Sequence, residues 1–292
     1  MTMPTSQENS LPNTAAASGR REQVLRRLDW TFPAQPVDRE LIAVLPDDPD
    51  LTKPPLLFVH DAWHGAWCWQ EHWMAAAAAQ GWRTYAGSLR GHGGSDRPDR
   101  FEAASLRHYQ HDVLQAITQL PSPPVLIGHS MGGAVVQGVL ERYRSAPAGV
   151  LLASVPPRHG LGVAPALLRH DPKMLAQALS GRRPTPRTST FYGPAMDEIA
   201  AQRHIERMRD EAWLATQQLV LPRRVPDVRT PLLVLGAECD RLVSPHAVVR
   251  TARTFGTRAR IFQGMGHMMM LEPDWKAVLD VTLGWLEDTV VR

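Results

Sequence analysis

A serine in a tight, glycine-rich turn is the residue of this sequence with the clearest chemical role. The apolar run 125–127 leads into Gly128-His129-Ser130-Met131-Gly132-Gly133, and an apolar, helix-compatible stretch follows. Between a strand and a helix, a Gly-x-Ser-x-Gly turn exposes the hydroxyl to a base, while N–H groups at the start of the helix face a developing oxyanion. The pattern predicts Ser130 as a nucleophile. The alternative is that Ser130 only caps the helix.

A serine nucleophile needs an imidazole to accept its proton and a carboxylate to hold that imidazole in the correct tautomer. His267 and Asp240 each follow a late apolar run, and the chain order Ser130, Asp240, His267 is the one expected for such a triad on an α/β sheet. Asp227 and Glu238 are competing acids. Asp227, however, precedes its strand, and Glu238 is interpreted as a solvated loop residue. We therefore predict Ser130, Asp240 and His267 as the catalytic set.

Short apolar runs must form the strands that bring these residues together. The runs alternate with helix-compatible stretches, which is typical of a mostly parallel sheet flanked by helices. They lie at 41–45, 56–60, 82–86, 125–127, 149–155 and 231–236, and one more begins at residue 259. In an open α/β sheet the site lies in loops at the carboxyl ends of strands. The sequence therefore predicts the α/β class.

The alternation of strands stops between residues 157 and 222. Two helical patterns, near 163–179 and 194–219, are separated there by a stretch rich in arginine, proline and threonine. The first residues of the chain are polar and have no periodic apolar face, which is typical of a flexible segment. We predict a flexible tail at 1–21, an α/β core from 22–156 and 223–292, and an inserted helical cap at 157–222.

Composition limits the partners of the chain. Of 292 residues, 43% are hydrophobic and 21% are charged, so the chain can bury a sizeable core. The net charge of +3 comes from arginines scattered along the sequence, whereas a nucleic-acid-binding protein clusters them, so no nucleic-acid partner is expected. Two cysteines, Cys68 and Cys239, are too few for a disulfide framework. With no secretory signal and no membrane span, a cytoplasmic location is expected; the oligomeric state is left open.

Other polar motifs carry weaker signals. His60, Asp61 and His64 suggest a metal site, but the histidines leave a strand rather than line one helix face, so no metal is predicted. The glycine-rich loop 88–96 lacks the ending of a phosphate-binding loop, and His92 within it is assigned a structural role. The tryptophans from Trp63 onward are expected mainly to fill the junction between loop and helix. No cofactor is predicted.

With these motifs the sequence resembles the α/β-hydrolase superfamily from about residue 40 to the C terminus. The resemblance is carried by residues 128–133, 236–245 and 266–273. The loop 60–69 is similar to the one shared by plant methyl esterases, hydroxynitrile lyases and bacterial lipase-like or lysophospholipase-like esterases. This resemblance implies an oxyanion hole formed by the backbone N–H groups of Ala62 and Met131. One position departs from the pattern, because those esterases carry glycine where this chain carries Asp61.

The resemblance implies hydrolysis of a small carboxylic ester through an acyl-Ser130 intermediate, with His267 as base and no cofactor. A non-hydrolytic enzyme that exploits Asp61 is the first alternative, since hydroxynitrile lyases carry threonine at that position. Those lyases also carry lysine directly after the catalytic histidine, whereas this chain has Met268, which disfavours cyanohydrin chemistry. A ligand-binding, receptor-like protein that retains the fold is the second alternative.

Asp61 conflicts with simple ester hydrolysis if its side chain enters the oxyanion hole. Two unit charges about 4 Å apart, at an effective dielectric constant near 20, interact by roughly 4 kcal/mol, so an ionised carboxylate there would oppose the developing oxyanion. Two orientations are open. The side chain either points outward and caps the following helix, or lies near the site to orient a polar substrate or assist a proton transfer.

Overall fold

The apolar runs of the sequence form one sheet in the computed structural model, which describes residues 37–157, 163–180, 185–221 and 223–291. Within these ranges the strands are β1 Leu41–Val44, β2 Leu56–Val59, β3 Thr84–Gly87, β4 Val125–His129, β5 Gly149–Leu152, β6 Leu232–Ala237 and β7 Ala259–Phe262. Their order across the sheet is β1-β3-β2-β4-β5-β6-β7. Only β1 pairs antiparallel with its neighbour, so the prediction of a mostly parallel sheet is confirmed.

The central strands are buried along their whole length. Every residue of β2, β4 and β5 is buried, as expected for strands with helices on both faces. The parallel register pairs Val59 with Gly128, so β2 and β4 end side by side. Strands β6 and β7 run in the same direction farther along the sheet. The loops that follow β2, β4, β6 and β7 therefore open at one edge of the sheet, and these loops contain the predicted site residues.

Helices connect and flank these strands. In the part of the chain that the structure describes they are α1 Trp67–Gln70, α2 Trp73–Ala78, α3 Leu106–Ile117, α4 Met131–Arg142, α5 Ala164–His170, α6 Pro172–Leu179, α7 Thr188–Phe191, α8 Glu198–Arg207, α9 Trp213–Val220, α10 Pro245–Thr254 and α11 Trp275–Val290. Alternation of these helices with parallel strands confirms the predicted α/β class.

Helices α5 to α9 lie between β5 and β6, in the region where the sequence predicts a cap. Each of the two helical patterns predicted there is divided into shorter helices. Asp171 ends α5, and its side chain accepts the N–H of Met174 at 3.0 Å, so that α6 begins with Pro172 at its first position. The second pattern is likewise divided between α8 and α9. The boundaries of the cap stay a prediction, and the predicted tail 1–21 lies outside the described residues.

Glu211 joins the segment before α9 to the core. Its side chain is buried, and its carboxylate accepts hydrogen bonds from the Tyr109 hydroxyl and, at 3.4 Å, from the Trp63 N–H. His92 Nε2 lies 3.2 Å from the same carboxylate. Burial alone would lower the pKa of His92, but the charge of Glu211 raises it. His92 therefore serves to hold the fold together, as its position in the glycine-rich loop suggests.

None of the helices in the described ranges is both long and apolar enough to cross a bilayer. The cytoplasmic location stays a prediction.

The turn after β4 tolerates no side chain at Gly132. A Cβ atom built there would lie 2.3 Å from the carbonyl oxygen of Val59 and 2.4 Å from that of His60. Both contacts are with the backbone of the neighbouring strand and the loop that follows it, which cannot move away without shifting the sheet. The close approach of α4 to the end of β2 therefore depends on glycine.

We expect Gly132→Ala to lower the free energy of unfolding by about 2 kcal/mol or more, because the added methyl group overpacks a backbone contact. Gly284 is the matched control, since it lies on the exposed face of α11 and an added Cβ would meet nothing within 4 Å. Gly284→Ala should instead stabilise by up to about 1 kcal/mol, through helix propensity. Urea denaturation of the two variants measures the difference, and equal stabilities would refute the close-approach argument.

Candidate active site

Ser130 lies in a strained turn between β4 and α4. Its backbone angles are φ 50° and ψ −111°, a conformation that L-residues other than glycine rarely adopt. Such strain persists only where the surrounding structure enforces it and is common at functional sites. The side chain makes no capping hydrogen bond to α4. The alternative interpretation of Ser130 as a helix cap is therefore wrong.

Asp240 and His267 are joined directly. Asp240 Oδ2 lies 2.8 Å from His267 Nδ1, and Asp240 Oδ1 accepts the N–H groups of Leu242 and Val243 at 2.7 and 2.8 Å. Because both oxygens are engaged, the carboxylate is fixed and holds one tautomer of the imidazole. The competing acids lie elsewhere: Glu238 is exposed and accepts the N–H of Gly264, and exposed Asp227 pairs with Arg144.

Glu272 supports the loop that contains His267. Its Oε1 accepts the N–H of Gly266 at 2.8 Å and that of Gly193 at 2.7 Å, so it links this loop to the segment between α7 and α8. Burial raises the pKa of Glu272, while these two N–H groups act against that shift. Sequence reasoning assigned Glu272 no such role. Its only signal was its place in the run 266–273.

The N–H groups of Ala62 and Met131 converge on one oxygen atom, as the two donors of an oxyanion hole must. That atom is Oδ1 of Asp61, which lies 2.6 Å from Ala62 N and 3.2 Å from Met131 N. Asp61 is only 1% exposed. The first residue before α1 is Ala66, with no side-chain cap. The outward, helix-capping orientation of Asp61 is therefore wrong, and its carboxylate fills the predicted hole.

The second oxygen of Asp61 faces two imidazoles. Oδ2 lies 3.5 Å from His267 Nε2 and 3.9 Å from His129 Nδ1. Burial alone would raise the pKa of Asp61, but the two nearby histidines lower it below its ordinary value. Burial by itself would also lower the pKa of His267, yet the carboxylates of Asp240 and Asp61 raise it. Asp61 is therefore ionised and favours the protonated form of His267.

His129 was missed by sequence reasoning as a member of this site. Its Nε2–H donates to the carbonyl oxygen of His267 at 2.8 Å, since a carbonyl can only accept. Burial and the adjacent His267 lower the pKa of His129 to about 3, so this imidazole is neutral and Nδ1 keeps its lone pair. The available signal was a polar side chain at the end of an otherwise apolar strand, directly before Ser130.

The histidines of the loop after β2 position the backbone. His60 Nδ1 donates to the carbonyl of Asp61 at 2.6 Å, and its Nε2 accepts the N–H of Leu89 at 2.9 Å. His64 Nδ1 lies 2.8 Å from the carbonyl of Ala62. Both nitrogens of His60 are thus engaged, so the set of His60, Asp61 and His64 is not a metal site. The histidines fix the loop that carries Asp61 and Ala62.

The tryptophans of this region mostly pack the core. Trp69 stacks on Phe58 with ring centroids 4.9 Å apart, and Trp73 meets the same ring edge-on at 6.1 Å. Trp67 lies under the guanidinium of Arg207 in α8, with the carbon atom of that group 4.1 Å from the ring centroid. The prediction that these rings fill the loop–helix junction agrees with these contacts.

This fold and site match a known family. The chain belongs to the alpha/beta hydrolase family, whose model matches residues 56–281. The predicted α/β-hydrolase fold is thereby confirmed.

Among curated relatives, a rice protein named probable esterase PIR7A is 30% identical over 57% of this chain. That match spans 65% of the relative's own length, or slightly less than two thirds. A monoacylglycerol lipase from Mycolicibacterium smegmatis is 26% identical, with 71% of this chain and 79% of the relative covered. Among solved structures, a thermophilic esterase from Thermogutta terrifontis is 18% identical with a TM-score of 0.66, covering 88% of this chain and 97% of that one.

Asp61→Gly should increase the reactivity of Ser130 by opening the hole. Loss of one hole donor costs an esterase-type site about 100- to 1,000-fold in rate, so freeing two donors should accelerate phosphonylation of Ser130 by roughly 100-fold or more. Mass spectrometry of the intact protein after incubation with a fluorophosphonate measures this rate.

Asp61→Asn is the matched control, because an amide of the same shape still fills the hole and accepts both N–H groups. Its labelling rate should stay closer to that of the unmodified chain, while Asp61→Gly combined with Ser130→Ala should not label. Equal labelling rates for Asp61→Gly and the unmodified chain would mean that Asp61 does not obstruct the hole.

Proposed function

We propose that this chain hydrolyses small carboxylic esters through an acyl-Ser130 intermediate. The observation that carries the proposal is the 2.8 Å hydrogen bond between Asp240 and His267, in a site whose serine has strained, positive-φ geometry. Membership of the hydrolase family and similarity to esterases and a lipase support the same chemistry. The substrate class is an ester with an apolar acyl group of short to medium length.

The residues divide the reaction into two stages, formation and hydrolysis of the acyl-Ser130 intermediate. His267 Nε2 accepts the proton of Ser130 as Oγ attacks the ester carbonyl, and Asp240 stabilises the imidazolium that forms. The N–H groups of Ala62 and Met131 stabilise the negative charge on the former carbonyl oxygen. His267 then gives its proton to the departing alcohol. The same imidazole then takes a proton from water as the water attacks the acyl carbon, and returns that proton to Ser130 Oγ as the acid leaves.

Asp61 makes the form seen here a closed resting state. Its Oδ1 holds the two N–H groups that the ester carbonyl must reach, and its Oδ2 keeps His267 in the protonated form. Hydrolysis therefore requires the Asp61 side chain to leave the hole when substrate enters. Simple esters, which offer nothing to hold the displaced carboxylate, should be poor substrates of the unmodified chain.

A second candidate function is favoured by the 3.5 Å distance between Asp61 Oδ2 and His267 Nε2. A carboxylate and an imidazole this close can remove a proton from a bound substrate and return it at another atom without a covalent intermediate. Such proton-transfer chemistry would survive Ser130→Ala and be abolished by Asp61→Asn. Ester hydrolysis would instead be abolished by Ser130→Ala and would survive Asp61→Asn. These two variants therefore distinguish the candidates.

A panel of p-nitrophenyl and methyl esters tests the leading proposal. We expect measurable hydrolysis by the unmodified chain and faster hydrolysis by Asp61→Gly. In both backgrounds, Ser130→Ala and His267→Ala should each lower kcat by about 10⁴-fold or more, and Asp240→Asn by roughly 10⁴-fold, since the imidazole is then held in the wrong tautomer.

Circular dichroism of each triad variant serves as the control for folding. If the unmodified chain and Ser130→Ala are equally inert across the panel, and Asp61→Gly is inert as well, ester hydrolysis is not the function. Near-normal turnover in Asp240→Asn would instead show that Asp240 is not the acid of the triad.

A further inference from the structure

Three buried ligand atoms converge beside Ser130. Asp61 Oδ2, His129 Nδ1 and His267 Nε2 all lie within 4.8 Å of one another, and their residues are at most 1% exposed. In the part of the chain that the structure describes, none of the three atoms has a hydrogen-bond partner outside this group. Buried polar atoms are normally satisfied, so three ligand atoms that have only one another as neighbours form a candidate cation site. We refer to these residues as the Asp–His₂ cluster.

Each side chain of the Asp–His₂ cluster is fixed through its other polar atom. His267 Nδ1 donates to Asp240, His129 Nε2 donates to the carbonyl of His267, and Asp61 Oδ1 accepts two backbone N–H groups. Histidines that ligate metals almost always donate their second ring N–H to a carboxylate or a backbone carbonyl in this way. The tautomers that these bonds select leave a lone pair on each inward nitrogen whenever the rings are neutral.

The charges around the cluster point to a divalent cation. Asp61 and Asp240 are two buried carboxylates on either side of one imidazole, and the described ion pairs of both are with histidines alone. A divalent ion bound between Asp61 and the two imidazoles supplies positive charge to both carboxylates, and an uncompensated buried charge is costly.

We propose that the Asp–His₂ cluster binds a divalent transition-metal ion such as Zn²⁺, and that the bound ion reversibly blocks the active site. Two imidazoles and one carboxylate suit Zn²⁺, whereas Mg²⁺ and Ca²⁺ prefer ligand sets made of oxygen alone. The ion takes the lone pair of His267 that must accept the proton of Ser130. The inhibitory part of this inference rests on the proposed function, whereas the binding part does not.

The ligand spacing is close to what Zn²⁺ requires. Two ligand atoms about 2.1 Å from a tetrahedral ion lie about 3.4 Å apart. The Asp61–His267 separation of 3.5 Å already matches this value, and the Asp61–His129 separation of 3.9 Å needs only a small closure. The third pair, His129 Nδ1 and His267 Nε2, lies within 4.8 Å, so the two imidazoles must move closer together when the ion binds.

Titration of the chelator-treated, full-length chain with Zn²⁺ in a calorimeter tests the binding. We expect one equivalent to bind, no comparable binding of Mg²⁺, and a visible absorption spectrum of a low-coordinate site when Co²⁺ is used instead. Asp61→Asn and His129→Gln should each weaken Zn²⁺ binding at least about 10- to 100-fold, the loss that removal of even a supporting partner causes. His246→Gln, at an exposed histidine, is the matched control and should bind Zn²⁺ as the unmodified chain does.

Ser130→Ala separates the two proposals, because it removes the nucleophile and leaves all three ligands. It should bind Zn²⁺ with unchanged affinity even if no variant hydrolyses esters, in which case the metal site stands and the proposed function falls. Where hydrolysis is measurable, Zn²⁺ should inhibit it and a chelator should restore it. Absence of saturable Zn²⁺ binding, or equal affinities for His129→Gln, Asp61→Asn and the unmodified chain, would overturn the inference, whatever the esterase results.

Discussion

The chemistry of this site depends on the two hydrogen bonds that Asp61 Oδ1 accepts from the N–H groups of Ala62 and Met131. In the proposed reaction these donors stabilise an oxyanion that exists only during turnover, so a permanent carboxylate on them changes the resting state of the site. The carboxylate fills the space that the ester carbonyl would occupy. Its second oxygen also holds positive charge on His267, which must be neutral to act as a base.

The sheet is what makes this arrangement possible. The backbone loop after β2 and the start of α4 approach so closely that only glycine fits at position 132. The same approach brings Met131 N to Asp61, across 70 positions of the sequence. Strands β6 and β7 run parallel to the other central strands of the sheet. Asp240 and His267, which follow them, therefore lie at the same edge. The ends of neighbouring strands therefore supply all the proposed parts of the site: nucleophile, base, acid and hole.

The predicted triad and the α/β sheet follow from local rules, because each candidate residue lies within a few positions after an apolar run and parallel strands end together. The orientation of Asp61 could not be predicted in this way. Its neighbours in the sequence allow both an outward and an inward carboxylate, and the inward one is selected by the distant Met131 N–H. His129 and Glu211 were missed for the same reason, since their partners lie 138 and 102 positions away. The start of a helix at Asp171-Pro172, by contrast, could be predicted, because aspartate followed by proline is typical of the first residues of a helix.

Nuclear magnetic resonance of the amide protons of Ala62 and Met131 tests the central claim most directly, namely that Asp61 occupies the hole. Hydrogen bonds to a carboxylate are short and strong, and they move the amide proton resonance downfield. With chains labelled by ¹⁵N at alanine and methionine, we predict that both resonances lie downfield in the unmodified chain and shift upfield together in Asp61→Gly. Resonances that stay unchanged in Asp61→Gly would contradict the occupied hole and the resting state derived from it.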